Sequence, residues 1–384
     1  MNKSKRIINL HIYPSDITHQ ARIQKEIKSL FDLKLVEELI IISQNLGTKP
    51  PIEKVSSKLT LHNISLLTSK DSNVFLRRFM FIEFFIRAFF KTLTLKFDII
   101  NCHSLHVLPL GVAAKILRSK KLIYDAHELE TEVNGAKGML KVISKVLEKT
   151  FIKFVDQTFV VSNSIKEWYI NKYQLKDIST IRNIPSSSQG YVSKNNLLRN
   201  LFHISENQQV YIYQGSLSTK RGANIILEAF KSIHSIEKHI VFLGSGHLKN
   251  EILEATKIYN NIHFLDAVST VELPAYTSSA DVGIHMIINT CLNHYYCLPN
   301  KIFEYFVYGI PVIVSDFPEM SSIVESNNIG WCISPQIETL VKVINSITNE
   351  EIEKYRSNVL IKRNDFSWEN EANEYINAYQ RLSK

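Results

Sequence analysis

Short runs of β-branched and aromatic residues alternate with helix-length amphipathic stretches along almost the whole chain, and this alternation is interrupted only once. RIINLHIY, ELIIIS, FDIINCHS, KLIYDAHEL and QTFVVSNS read as buried strands; helical patterns fall between them at 17–31, about 73–96, 107–119 and 138–153. Strands that alternate with helices build a parallel sheet covered on both faces. The segment STIRNIPSSSQGYVSKNN then breaks the rhythm with proline, serine, glycine and asparagine. After it the same grammar restarts with QVYIYQGSL, ANIILEAFKSI, HIVFLGSG, NIHFLDAV, DVGIHMI, NKIFEYFVYG and IPVIVSD. The expected fold is therefore α/β, with two Rossmann-like domains at 1–186 and 187–366 facing across a cleft, and a helix at 367–384 crossing back to the first. Ligands of such sheets bind beyond the carboxyl ends of the strands.

A chain of 384 residues exceeds what one core usually organises, which agrees with two domains. Lysine and arginine number 45 against 37 acidic residues, a net charge of +8, so an anionic partner or an anionic membrane surface is expected. Nucleic acid is not expected, because no binding motif accompanies the charge. No uncharged apolar run is long enough to span a bilayer, and the start MNKSKRIINLHIYPSD lacks the features of a secretory signal. The expected location is the cytoplasm, peripheral to the inner face of its membrane. Four scattered cysteines fit a reducing compartment. Cys291, His294 and Cys297 lie close together but fall short of a four-ligand zinc motif, so no metal is expected.

The stretch LPNKIFEYFVYGIPVIVSDFPEM, from Leu298 to Met320, reads as a loop, a helix opening near Asn300, a glycine stop at Gly309 and a buried strand from Pro311. A helix N-terminus offers backbone N–H groups and the positive end of a dipole to a diphosphate, and Glu304 one turn in offers a carboxylate to ribose hydroxyls. The spacing alone describes equally an amphipathic helix with a solvated glutamate. YQGSLSTKRGANIILEAF carries a strand-to-helix turn between Gly215 and Gly222, and FLGSGHLKNEI a second at Gly244 and Gly246. Arginine in such a turn suits phosphate, because its planar fork bonds two oxygens at once.

These segments resemble the donor-binding half of the family-4 glycosyltransferases with the GT-B fold, and the N-terminal half is similar more loosely. The resemblance implies a donor site built from Gly215, Ser216, Lys220, Arg221, Gly244, Gly246, Tyr296, Leu298, Pro299, Asn300, Lys301 and Glu304. The family carries two glutamates eight positions apart; Glu304 matches the second, and Tyr296 stands at the first. Ser216 stands where the family has an arginine, and Arg221 matches its second basic position. The implied reaction is retaining, metal-independent transfer from a nucleoside-diphosphate sugar, most simply a UDP-sugar, to a saccharide or lipid-linked saccharide in cell-surface polysaccharide assembly, with no further cofactor. A nucleotide-sugar 2-epimerase and a non-catalytic binding protein are the alternatives.

In the N-terminal half, YDAHELE ends a strand and places His127 and Glu128 at its carboxyl end, where the matching histidine of similar enzymes approaches the donor sugar. They are the expected catalytic pair. The helical stretch at 75–91 has one broad apolar face containing Phe75, Phe79, Ile82, Phe85, Ile86, Phe89 and Phe90, which is expected to face the core. Its other face mixes Arg77, Arg87 and Lys91 with Phe81 and Phe84, the expected membrane contact.

Overall fold

The computed structural model describes residues 7–18, 20–45, 47, 49–68, 79–186, 193–233 and 235–383. The chain divides into two units, 1–182 with 371–384, and 183–370.

The first unit contains β1 (Ile8–Tyr13), α1 (Ala21–Asp32), β2 (Glu38–Asn45), β3 (Ile52–Lys54), β4 (Leu59–Ser65), α2 (Met80–Thr94), β5 (Ile99–His103), α3 (Leu108–Arg118), β6 (Lys121–Ala126), α4 (Gly138–Phe151), β7 (Gln157–Val160), α5 (Asn163–Tyr173) and β8 (Ile178–Thr180). Its sheet has the order β3-β4-β2-β1-β5-β6-β7-β8, and every pairing is parallel except β3 with β4. The order runs outward from β1 in both directions, so a switch point lies between β1 and β5. Right-handed crossovers put α1 on one face of the sheet and α2 to α5 together on the other.

The second unit contains α6 (Leu197–Phe202), β9 (Gln209–Ser216), α7 (Ala223–Ser232), β10 (Lys238–Ser245), α8 (Lys249–Ile258), β11 (Ile262–Leu265), α9 (Leu273–Ser278), β12 (Val282–His285), α10 (Leu292–Tyr295), α11 (Asn300–Val307), β13 (Val312–Ser315), α12 (Pro318–Asn327), β14 (Gly330–Ile333), α13 (Ile337–Ser346) and α14 (Asn349–Lys362). Its six parallel strands run β11-β10-β9-β12-β13-β14, with the switch point between β9 and β12. Two apolar clusters sandwich this sheet, one around Phe230, Phe242 and Leu340 and the other around Phe303, Tyr305 and Met320. The last helix, α15 (Trp368–Leu382), begins in the second unit, and from Glu371 on it belongs to the first.

Parallel strands buried on both faces are usually apolar throughout. The first unit departs from this. Asn9 and His11 on β1, Asn101 and His103 on β5, and Asp125 on β6 are all fully buried. Residues two apart on a strand share a face, so these side chains form one polar layer between the sheet and the helices over it. The Tyr379 hydroxyl of α15 closes the layer at one end, accepting from the Asn9 amide at 2.8 Å and the Asn101 amide at 3.3 Å.

The helix α2 overturns the expected orientation of the 75–91 stretch. Its buried residues are Phe84, Ala88 and Thr92, spaced by four, while Phe79, Ile82, Ile86 and Phe90 are exposed. Phe84, placed with the membrane-facing residues on sequence grounds, is 2 % exposed and belongs to the core. A helix apolar nearly all round has no pattern that selects its inner face; here the small Ala88 and Thr92 permit close packing on the sheet. Phe81 and Arg87 are exposed, Lys91 is half-buried, and Arg77 and Phe75 lie outside the described residues.

Replacing Tyr379 with phenylalanine should take from the polar layer the acceptor of the Asn101 amide and one of the two partners of the Asn9 amide. A buried donor left unsatisfied costs about 1–3 kcal/mol, so the urea midpoint of the variant should fall at an unchanged slope. An unchanged midpoint would show that the hydroxyl holds nothing.

Candidate functional site

In the second unit the site assembles at the β9/β12 switch point. The strand β9 delivers Gly215 and Ser216 to its carboxyl end, and β12 delivers His285. The neighbouring turn of β10 comes so close that a Cβ on Gly244 would lie 1.9 Å from the Gly215 carbonyl oxygen, with φ at +155°. Gly222, with φ at +69°, precedes α7, and a Cβ there would meet Met286 at 2.6 Å. Glycine is the residue that both approaches require. Ser216, Lys220, Arg221 and Gly246 are exposed around these turns.

The helix α11 starts after Pro299 with no side-chain cap; Leu298 is buried beneath it and Asn300 is exposed. Glu304 accepts hydrogen bonds from the Gln214 amide and the Lys301 ammonium, each at 2.7 Å and both through Oε2. Gln214 is itself oriented by Thr277, whose hydroxyl donates to its carbonyl at 2.6 Å. The helix is pinned by its next residue. The Tyr305 hydroxyl lies between the diverging strands, receiving the Gln214 N–H at 3.3 Å and reaching the Ile284 carbonyl at 3.3 Å and the Ile212 carbonyl at 3.4 Å. Tyr296 follows α10, half-buried against Tyr295 at 5.5 Å between ring centroids.

His285 escaped the sequence reading. It is 4 % exposed, and neither ring nitrogen has a hydrogen-bond partner among the described residues. Burial, then the charges of Arg221 and Lys301, lower its pKa to about 3, so the ring is neutral at physiological pH. The charges of Arg221 and Lys301 thus reach the neutral imidazole, and Lys301 in turn holds the Glu304 carboxylate. The available signal was a histidine ending the buried strand DVGIH.

In the first unit, His127 follows β6 and is partly exposed, and Glu128 beside it is exposed. Both line a cavity of about 480 Å³ at the carboxyl ends of the strands, with Tyr13, His103, Ser104 and Glu130. Behind the wall the polar layer continues. His11 Nδ1 lies 2.9 Å from His103 Nε2, and His103 Nδ1 lies 3.1 Å from both His127 Nε2 and Asp125 Oδ2. Asp125 Oδ2 is 3.2 Å from His127 Nε2, and its other oxygen accepts from Arg22 at 2.8 Å. Burial alone would raise the Asp125 carboxyl; the charges of Arg22 and His127 with the two histidine hydrogen bonds outweigh it and hold it well below the usual range. Burial lowers His103 and lowers His11 further, so both are neutral. Arg22 also lies 2.9 Å from Glu26, whose buried carboxyl is raised well above the ordinary value by desolvation and the charge of Asp125. His103, Asp125 and His127 are mutually close enough to ligate a metal, as are His11, Glu26 and His103. Arg22 already supplies the cation that Asp125 pairs with.

The profile of the group 1 glycosyl transferases matches residues 196–364, and that of Glycosyltransferase Family 4 matches residues 38–184. The chain belongs to the family-4 glycosyltransferases with the GT-B fold. Among curated family relatives it is 24 % identical to a chitobiosyldiphosphodolichol beta-mannosyltransferase of Candida albicans over 65 % of this chain and 59 % of that protein. The chain thus spans less than two thirds of that relative's length. Among solved structures, a sucrose-phosphate synthase from Thermosynechococcus elongatus aligns with a TM-score of 0.80 at 15 % identity, covering 98 % of this chain and 99 % of that one. The HepE protein of Anabaena, solved in complex with UDP, aligns with a TM-score of 0.72 at 13 % identity, covering 98 % and 100 %.

Against the family pattern, the structure groups Gly215, Gly244, Lys301 and Glu304 at one switch point and His127 with Glu128 at the other cavity. Glu130 is the second residue that sequence reading missed. Burial, then the charges of Glu128 and Glu148, raise its carboxyl to about 8 from an ordinary 4.5. The folded state then binds a proton that the unfolded state has lost between those values, so its contribution to stability is present below 4.5 and is lost as pH rises toward 8. Glu130→Gln should flatten that slope, leaving the variant relatively more stable at pH 8 than at pH 5 when both proteins are unfolded in urea. Parallel pH profiles would place the Glu130 carboxyl at an ordinary value.

Proposed function

We propose that this protein transfers a sugar from a nucleoside-diphosphate sugar, held in the second unit, to a saccharide or lipid-linked saccharide held in the cavity of the first. The observation that carries the reading is the prearranged Glu304 carboxylate, fixed by Gln214 and Lys301. Both of its hydrogen bonds among the described residues use one oxygen, and the other is directed to the ribose hydroxyls. The diphosphate binds at the N-terminus of α11 and the Gly215 turn, where Lys301, Arg221 and Lys220 neutralise its charge as it departs, without a metal. The UDP complex of HepE and the lipid-diphosphate substrate in the names of the curated relatives support this donor and acceptor class.

His127 contacts the reacting sugar or acceptor hydroxyl. Asp125 is its positioning residue, holding the ring through a charge that Arg22 keeps in place. Glu128 lines the same cavity and binds acceptor hydroxyls. The reaction retains the donor's anomeric configuration, the leaving phosphate assisting the acceptor on one face of the sugar. The product serves cell-surface polysaccharide assembly.

A carboxylate bonded to two hydroxyls contributes about 1.5–3 kcal/mol per charge-assisted bond. Glu304→Ala should therefore weaken nucleotide binding at least about tenfold in calorimetry, and the 2'-deoxy nucleotide is the control. Wild type should prefer the ribonucleotide, and the variant should scarcely distinguish the two; full discrimination by the variant would remove Glu304 from the donor site.

His127→Ala should depress turnover by roughly a hundredfold or more while leaving nucleotide affinity unchanged. A loss of thermal stability with no selective loss of turnover would instead make His127 structural. Proton NMR of the product's anomeric signal, compared with the donor's, reads retention or inversion directly.

A further inference from the structure

The hydrogen bonds of the buried polar layer have a direction, and the chemistry of its members fixes it. The Asn9 amide nitrogen lies 2.8 Å from His11 Nε2 and 2.8 Å from the Tyr379 hydroxyl. An amide nitrogen only donates, so His11 Nε2 is an acceptor. Turned over, the amide would carry its NH2 to the place where its carbonyl oxygen has no partner among the described residues, and a buried N–H without an acceptor is the rarer defect. His11 is fully buried and neutral, so its one ring proton is on Nδ1 and points at His103 Nε2, 2.9 Å away. His103, also buried and neutral, then has its proton on Nδ1.

That nitrogen lies 3.1 Å from two atoms, Asp125 Oδ2 and His127 Nε2. The carboxylate is the stronger acceptor, and Arg22 keeps it ionised, with Nη2 2.8 Å from Oδ1 and Nε 3.3 Å from Oδ2. His127 Nε2 is itself 3.2 Å from Oδ2. A bare lone pair there would face the lone pairs of the carboxylate, so this nitrogen carries a proton and Oδ2 accepts from both rings. Both contacts of the His127 ring with the layer are made at Nε2. Only Nδ1 remains for a ligand, on a ring that is partly exposed in the wall of the cavity.

We infer that His127 offers the cavity an unprotonated Nδ1 and binds its ligand there as a hydrogen-bond acceptor, with Asp125 and His103 as the positioning residues that keep its proton on Nε2. Asn9 and His11 act one step behind, because they decide which nitrogen of His103 carries a proton to the carboxylate. With His103 reversed, its bare Nδ1 would compete with Asp125 for the His127 proton at an almost equal distance. The group that meets Nδ1 must bring a proton of its own. A sugar hydroxyl or an acetamido N–H does so; the ionised oxygens of a phosphate or carboxylate do not. The proton positions stand without the transferase reading, and only the identification of the ligand as a sugar rests on it.

Nitrogen-15 NMR of the full chain with labelled histidine rings reads each proton directly, because a protonated ring nitrogen and a bare one resonate far apart. The spectrum is taken without nucleotide at pH 8, above the ordinary titration of imidazole. His127 should show its proton on Nε2, and His11 and His103 theirs on Nδ1. A proton on Nδ1 of His127, alone or together with one on Nε2, would overturn the inference, and so would a proton on Nε2 of His103. Asp125→Asn removes the charge at unchanged shape. Arg22 should keep the amide oxygen, so that the NH2 takes the place of Oδ2, donates to His127 Nε2 and drives the His127 proton to Nδ1. An unmoved proton would strip Asp125 of its positioning role, even if thermal stability falls. Should this variant prove unfolded, the wild-type spectrum alone decides. In transfer assays Asp125→Asn should lower kcat by roughly a hundredfold, with nucleotide affinity unchanged. An unchanged kcat beside a moved proton would count against the transferase role of His127 and not against the position of its proton.

Discussion

The buried pair of Arg22 and Asp125 is the constraint on which the first unit depends. Both side chains are almost wholly removed from water, Asp125 at the end of β6 and Arg22 at the start of α1. Removing one partner of such a pair costs about 3–5 kcal/mol, because the other charge is left uncompensated. Arg22 also donates to the Ile181 carbonyl at 2.6 Å, which ties α1 to the chain just beyond β8. From Asp125 the layer runs through His103 and His11 to Asn9, and from there to Tyr379 on the last helix. A line of hydrogen bonds thus joins the interior to His127 in the wall of the cavity.

The second unit buries an ion pair of its own, Arg199 with Asp281 at 2.6 Å, just before β12. Apolar clusters cover both faces of its sheet, and the polar groups of the candidate site gather at the carboxyl ends of β9, β10 and β12. There the backbone approaches itself so closely that two turns admit only glycine, and a tyrosine hydroxyl sits where the strands part. Glu304 takes its orientation from this frame, since Gln214 lies on β9 and Tyr305 follows Glu304 on the same helix. A sugar-reading carboxylate that is held before ligand arrives loses less conformational freedom on binding.

The polar layer of the first unit has a counterpart at Glu148 on α4, whose buried carboxyl accepts from Tyr124, Tyr169 and Tyr173. Such an arrangement is stable because a carboxyl accepting several hydroxyl hydrogen bonds is costly to disturb.

The sequence by itself determined the two α/β units, the strands that carry Gly215, His103 and Ala126, and the helix that opens at Asn300. Each follows from local periodicity and turn chemistry, which depend on near neighbours in the chain. It was silent on β3 and β4, and it assigned the last residues of β8, Ser179 and Thr180, to a linker; the edge strands β3 and β8 have three residues each, too few to show a period. Which way α2 and α4 face was decided only by the tertiary structure. Phe84 rather than Phe90 is inside because Ala88 and Thr92 fit the sheet, and Glu148 is inside because Tyr124, Tyr169 and Tyr173 converge on it from other elements. His285 owes its shifted ionisation to burial and to Arg221 and Lys301, distant in the chain, and Glu130 owes its own to burial, to Glu128 two residues before it and to Glu148. Burial and the nearness of charge are properties of the packed molecule, and no window of sequence contains them.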